Sequence, residues 1–315
     1  MTGGTGFIGS LLTKALVQQN AKVLLFCLPS SDSWRLNSLL NKVAYVRLDK
    51  SLNISSVLKD FDPEVVYHLA SYIDVTRDIS LMEKMIQSNF VKSLDLVKSL
   101  SEAKSLKLFV NTGSSDEYGD NLAPFRESSR ERPVSPYSLS KTLTTHSIGF
   151  LSRMTGFPSL TVRPFTTYGG WQAITMLIPD LISHILEGKN FSMTSGEQTR
   201  DFIYIDDIVE AYLWLAQAVL EKRLKADGEI FNIGTGQEIP VNRVVQKIIE
   251  IMGEKISLRE GEQVRRQGEP SQFFADITKI KEIGWKAKVD LDKGLSYTIQ
   301  WYRDHYFLYQ NQLIK

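Results

Sequence analysis

Tyr137 and Lys141 form the only Tyr-x-x-x-Lys spacing among the chain's 12 tyrosines. On a helix, residues four apart share a face. An ammonium held beside a phenol favours the phenolate and lowers a pKa that starts at about 10. That makes a base able to take a proton from a sugar hydroxyl near neutral pH. The pair follows an apolar run at 106–110 and a polar loop, Asn111-Thr112-Gly113-Ser114-Ser115-Asp116-Glu117-Tyr118-Gly119. Open parallel sheets place their ligands at the carboxyl ends of strands, where a hydroxyl from this loop can hold the reacting oxygen.

A second group lies at the start of the chain. Gly3, Gly6 and Gly9 have the spacing G-x-x-G-x-x-G and open into a helical pattern. Glycines permit a tight turn and let backbone amides approach a pyrophosphate at a helix N-terminus, where partial positive charge collects. Only Met1 and Thr2 precede the loop, so the first strand of the sheet is expected to be missing or truncated. The second strand's end reads Phe26-Cys27-Leu28-Pro29-Ser30-Ser31-Asp32-Ser33-Trp34-Arg35, without the carboxylate at the strand end that favours NAD. Arg35, with Ser30 and Ser31, suits a 2′-phosphate. Asp49, after the third strand, suits adenine. The coenzyme is thus NAD or NADP. His68, His146, His184 and His305 lack metal spacing, and no metal is expected.

The elements that must position these groups alternate. Apolar runs at 23–26, 43–46, 65–69 and 106–110 read as strands buried on both faces. Helical spacing recurs at Phe7, Ile8, Leu11, Leu12, Ala15 and Leu16, and again at Met82, Met85, Ile86, Phe90, Leu94 and Val97. Further helices are expected at about 136–154, 178–187 and 241–252, with one opened by Asp206 or Asp207 as its N-cap. Strands are expected at 160–163, 202–205 and 231–233. This is an α/β fold, a doubly wound parallel sheet of Rossmann type with a smaller C-terminal α/β substrate domain. The expected division is 1–162, together with about 203–232, for the dinucleotide, and 163–202 with 233–315 for the substrate.

Composition narrows the class. The 315 residues are 43% hydrophobic and 23% charged, with a net charge of +1. The balance argues against a nucleic-acid partner. No apolar run approaches the about 18 residues of a membrane span, and no signal peptide is recognisable. Cys27 is the only cysteine, which fits a reducing, cytoplasmic setting.

Taken in order, these motifs resemble the extended short-chain dehydrogenase/reductase family, in its sugar-nucleotide epimerase/dehydratase branch. Thr2-Gly3-Gly4-Thr5-Gly6-Phe7-Ile8-Gly9 matches the family's coenzyme loop. His68-Leu69-Ala70 matches the fourth strand's end beside the coenzyme, and Asn89 a structural helix asparagine. Ser114 falls at the hydroxyl position four residues before Tyr118-Gly119, and Tyr137 with Lys141 matches the catalytic pair, which also borders the coenzyme. Arg163-Pro164-Phe165-Thr166-Thr167-Tyr168-Gly169 resembles the entry to the substrate domain, with Thr166 where many members carry Asn. Arg200 and Arg266 resemble the two arginines that meet the substrate diphosphate, which guanidinium forks suit. Ser115, Asp116 and Thr166 complete the residues expected to touch a nucleoside-diphosphate sugar. Phe231-Asn232-Ile233-Gly234-Thr235-Gly236 is a further shared landmark.

The resemblance implies hydride exchange between nicotinamide and sugar C4. Dehydratases of the branch carry a Glu two residues before the Tyr; here Asp116 holds that place and Glu117 directly precedes Tyr118. A one-residue slip redirects a side chain, which counts against dehydration. The leading expectation is an epimerase working through a transient 4-keto sugar. The alternatives are an NADPH-dependent 4-keto-6-deoxysugar reductase, a 4,6-dehydratase and a nucleotide-sensing regulator without turnover. The resemblance also implies a homodimer that pairs the helices around 82–99 and 136–154.

Overall fold

The computed structural model describes residues 1–49, 52–101, 103–254, 256–264 and 270–310. Strands β1 (Leu24–Cys27), β2 (Ala44–Arg47), β3 (Val65–His68), β4 (Leu108–Thr112) and β5 (Ser159–Pro164) are all parallel, and the Asp227–Ile233 strand extends the sheet beyond β5. Among the described residues, Met1 and Thr2 alone lie between β1 and β3. Thr2 bridges both neighbours, opposite Phe26 and His68. Its amide donates to the Tyr67 carbonyl at 3.0 Å, Leu69 N donates to the Thr2 carbonyl at 3.2 Å, and Phe26 N donates to the Met1 carbonyl at 2.9 Å. The central position is therefore filled by two residues at the carboxyl end of the sheet, next to the glycine loop. Backbone groups of both neighbours are paired there, where the loop needs a fixed base.

The unbroken apolar strands serve two cores. Tyr67, Leu108, Val110, Leu160 and Val162 pack on one face with Leu12 and with Ile208, Tyr212 and Leu215 of the Ile205–Leu220 helix. Val66 and Phe109 point to the other face, against Leu58, Leu96, Val97 and Ile148. Alternate side chains thus feed layers of helices on both sides, which defines a doubly wound sheet. The first core continues without interruption through Leu181, Val244, Ile299 and Tyr302 of the later helices.

Two local expectations are corrected. The helical run over residues 82–99 is not uniform: Ile86–Val91 widens into a π-helical turn. Asn89 sits in that turn. Its Oδ1 accepts from Tyr72 N at 2.7 Å, and its Nδ2 donates to the Tyr72 carbonyl at 2.9 Å and to Ser140 Oγ at 3.0 Å. The Asn89 carbonyl accepts from the hydroxyls of Ser93 and Thr144, so the wide turn leaves it satisfied. The Ile205–Leu220 helix has Tyr204 at its N-cap and no side-chain cap. Asp207 instead accepts from the amides of Lys288 and Val289, each at 3.0 Å, and ties the helix to the C-terminal region.

Candidate active site

Tyr137 and Lys141 lie in the first turns of the Pro136–Thr155 helix. The start of that helix is strongly specified. Ser135 accepts from Ser138 N at 3.1 Å, and Pro136 occupies the first turn, where its missing N–H costs nothing. Both functional side chains are buried, at 6% and 5% exposure. Lys141 Nζ donates to the Thr112 carbonyl at the end of β4, 2.8 Å away. Its ammonium lies 5.9 Å from the centre of the Tyr137 ring.

The hydroxyls of Ser114 and Ser71 lie close to the Tyr137 phenol and favour its ionised form. Burial pushes it above the ordinary tyrosine range, the Asp116 charge adds to the rise, and the two serine hydroxyls oppose it. The net lowering expected from Lys141 is corrected: burial decides, and the phenol is raised. Burial in turn brings the Lys141 ammonium down to about 8, against the charge of Glu117. His68 at the end of β3 is brought to about 3, by burial first and by the Lys141 and N-terminal charges next. It is a neutral spacer bonded to Thr2 Oγ1 and Ser93 Oγ, both at 2.7 Å.

The two adjacent carboxylates of the loop part company. Asp116 is half-buried, and its Oδ2 accepts from Ser114 Oγ at 3.3 Å, on the Tyr137 side. Glu117 is wholly buried on the other side. Its Oε2 accepts from Arg163 Nη2 at 2.7 Å and Nε at 3.1 Å; its Oε1 accepts from Ser114 N at 2.8 Å and Thr145 Oγ1 at 3.1 Å. Burial works against the Arg163 charge, but Glu117 overrides it and holds the guanidinium above its usual range. Glu131 completes the pair, accepting from Arg163 Nη2 at 2.5 Å, and His146 touches Glu131 at 3.0 Å. The displaced register thus leaves one carboxylate at the phenol and commits the other to the core.

The glycine loop lies directly beside this centre. Gly3 has φ +70°, and a Cβ there would lie 2.6 Å from Ala70 N and 2.7 Å from the Leu69 carbonyl carbon. A side chain at Gly9 would overlap the Gly3 carbonyl oxygen. The Phe7–Gln18 helix starts at Gly6 with no side-chain cap, so the amides around Phe7 and Ile8 point outward without a protein acceptor from the cap residue. An uncapped helix start over a glycine turn fits a dinucleotide pyrophosphate. The next residue after Ala70 is Ser71, whose hydroxyl lies close to the Tyr137 phenol. One strand end therefore carries both the floor of the glycine loop and a neighbour of the phenol.

The remaining expected residues are spread over the same carboxyl edge. Ser115 is buried in the Ser115–Tyr118 turn. Thr166 starts the Thr166–Tyr168 strand, its amide donating to the Asp201 carbonyl at 3.0 Å. Arg200 Nη1 donates to the carbonyls of Thr199 at 2.6 Å and Pro270 at 3.3 Å. Arg266 itself lies outside the described residues. Asp49 is exposed just beyond β2. Arg35 turns to the Trp171 carbonyl, to which its Nε donates at 2.9 Å.

Three groups were not singled out from sequence. Ser71 was signalled only by following His68-Leu69-Ala70. The Glu117–Arg163–Glu131 pairing had its signal in the shifted acidic register. Asp201, buried and accepting from Thr235 N, Thr235 Oγ1, Gly236 N and Ala275 N, anchors the loop after the Asp227–Ile233 strand.

Residues 1–234 match the model of the NAD dependent epimerase/dehydratase family. A dTDP-glucose 4,6-dehydratase of Haemophilus influenzae is 30% identical, with 96% of each chain covered. A putative UDP-glucose 4-epimerase of Methanocaldococcus jannaschii is 28% identical, covering 97% of this chain and 98% of that one. Among solved structures, the UDP-glucose 4-epimerase of Thermotoga maritima with UDP-glucose superposes with a TM-score of 0.87 at 28% identity, over 97% of this chain and 98% of that chain. The UDP-glucuronic acid 4-epimerase of Bacillus cereus, in complex with UDP-glucuronic acid and NAD, gives 0.84 at 26% identity, over 96% and 98%. With the family model spanning most of the chain and a glycine cradle set beside a buried Ser-Tyr-Lys centre, this chain belongs to the NAD-dependent epimerase/dehydratase family.

Proposed function

We propose that the protein is a nucleotide-sugar 4-epimerase that uses a resident NAD. The observation that carries this reading is Tyr137: a buried phenol close to the Ser114 and Ser71 hydroxyls, with Lys141 one turn along and the glycine cradle on the adjoining strand end. NAD, when bound, supplies an acceptor and then a donor of hydride at sugar C4. The chain's own part is proton handling and restraint. Ser114 holds the C4 oxygen toward Tyr137, which takes the hydroxyl proton as hydride leaves C4 and gives it back when hydride returns to the other face. Lys141 supplies the positive charge that makes a high phenol usable as a base. Gly3, Gly6 and Gly9, with the amides near Phe7 and Ile8, hold the pyrophosphate; Leu69 and Ala70 form the floor.

Asp116 is the only carboxylate of its loop at the phenol, and Glu117 is locked to Arg163. Eliminating water across C5 and C6 requires an acid and a base together. This arrangement therefore favours epimerisation over dehydration. Arg200 and Arg266 are proposed to meet the substrate diphosphate, with Ser115, Asp116 and Thr166 near the sugar.

The protein is further proposed to act in the cytoplasm as a homodimer. Among the described residues, no helix is long and apolar enough to cross a membrane. Phe150 and Met154 of the Pro136–Thr155 helix are 53% and 67% exposed, an apolar face suited to a second copy. Light scattering at micromolar concentration is expected to give a dimer; a monomer contradicts this.

The function is tested by incubating the protein with UDP-, GDP-, dTDP- and CDP-sugars, with and without NADPH. C4 inversion without added reductant is expected. Stoichiometric NADPH loss on a 4-keto sugar would make it a reductase, and a 4-keto-6-deoxy product a dehydratase.

A further inference from the structure

The segment that follows β1, residues 28–36, forms the wall at the adenosine end of the coenzyme groove, because the coenzyme's ribose lies beyond that strand's carboxyl end. It does not stand alone. Trp34 and Trp171 lie with ring centroids 5.4 Å apart, and Trp34 meets the edge of Tyr309 at 5.5 Å. The Arg35 guanidinium covers the Trp34 ring at 4.3 Å while its Nε donates to the Trp171 carbonyl at 2.9 Å. Trp171 follows the Thr166–Tyr168 strand and is held in turn by Trp301, at 5.0 Å. The approach is built into the backbone. Trp171 has φ +71°, and a side chain at Gly170 would lie 2.5 Å from Trp301 Cγ.

The geometry points to a latch. Arg35 and Trp34, closed on Trp171, hold the adenosine wall of the groove against the far half of the molecule and so set how slowly the coenzyme leaves. The inference rests on the proposed coenzyme site. On this proposal, a dinucleotide leaves the groove when this wall separates from the loop carrying Trp171. That separation breaks the Arg35 hydrogen bond to the Trp171 carbonyl and the Trp34–Trp171 ring contact in one motion. An epimerase returns its hydride within the same turnover, so slow release of a resident coenzyme serves it, whereas a reductase must exchange coenzyme every cycle. In this arrangement Arg35 is a positioning residue for the loop and not a ligand of a 2′-phosphate.

The test is the dissociation of pre-bound NADH and NADPH, followed by fluorescence after a chase with excess NAD. Arg35→Ala is expected to release NADH at least tenfold faster than the unaltered protein. Arg35→Lys keeps the charge but loses the planar stack and the Nε–H, and is expected to fall between the two; it also serves if Arg35→Ala does not fold. NADH release unchanged in the variants overturns the latch. Selective weakening of NADPH with NADH unaffected overturns it in favour of a phosphate contact. If the unaltered protein holds neither coenzyme, the coenzyme site itself fails, and the latch with it.

Discussion

The two ends of the proposed coenzyme groove are built on different principles. At the reacting end, beyond β3 and β4, the side chains are buried, polar and locked by short hydrogen bonds: Tyr137, Lys141, Ser114, and Glu117 against Arg163. At the adenosine end, beyond β1, half-buried aromatic rings and one guanidinium reach across from distant parts of the chain. Chemistry needs atoms fixed within a fraction of an ångström, which a buried hydrogen-bond network provides. Retention needs a contact that can open as a unit, which stacked side chains provide. The reacting end is thus expected to fail through charge and proton changes, and the adenosine end through release rates.

The largest expected effect separates the neighbouring acids of the reacting end. Glu117→Ala leaves Arg163 buried and half-unpaired, and urea unfolding is expected to show a loss of about 3–5 kcal/mol. A near-neutral result would mean that the pair does not hold the Ser114 loop. Next comes Lys141→Met, expected to lower kcat about a hundredfold, or ~3 kcal/mol of barrier. The same charge predicts that kcat/KM falls above pH about 8, and Lys141→Arg should move that limb upward.

His68 gives a smaller, pH-dependent effect. Its folded value, about 3, lies below the ordinary value of about 6.5, so the unfolded chain takes up the proton first as pH falls. Its contribution is complete above the unfolded value and is lost as pH drops toward the folded one. Between pH 7 and 5 this amounts to about 2 kcal/mol. His68→Asn should flatten that slope in urea unfolding; an equal slope would show that other groups carry it. Smallest is Asp116→Asn, expected to change kcat by less than about tenfold. Because the Asp116 charge raises the Tyr137 phenol, its removal should move the acid limb of the profile to lower pH. Complete loss of turnover would instead make Asp116 an obligatory acid.

Much of this was legible in the sequence where local rules act. The unbroken apolar strands announced a sheet covered on both faces, and the helix expected at about 136–154 put Tyr137 and Lys141 in its first turns. The glycine spacing announced its own turn because Gly3 and Gly9 tolerate contacts that no side chain could. What stayed hidden depends on distant partners. Nothing local says that Glu117 faces Arg163 and not the groove, that Arg35 reaches Trp171, or that Asp207 serves Lys288 and Val289 instead of its own helix. The two-residue central strand is similar: Thr2 is held by Tyr67 and Leu69, residues far along the chain. The raised Tyr137 phenol is hidden for the same reason, since the burial that raises it is a property of the packed molecule.

The account stands most directly on the phenol. Tyr137→Phe, purified with its coenzyme and supplied with a nucleotide sugar that the unaltered protein inverts at C4, is expected to lose about a thousandfold in kcat while still retaining NAD. Inversion at the unaltered rate would contradict it.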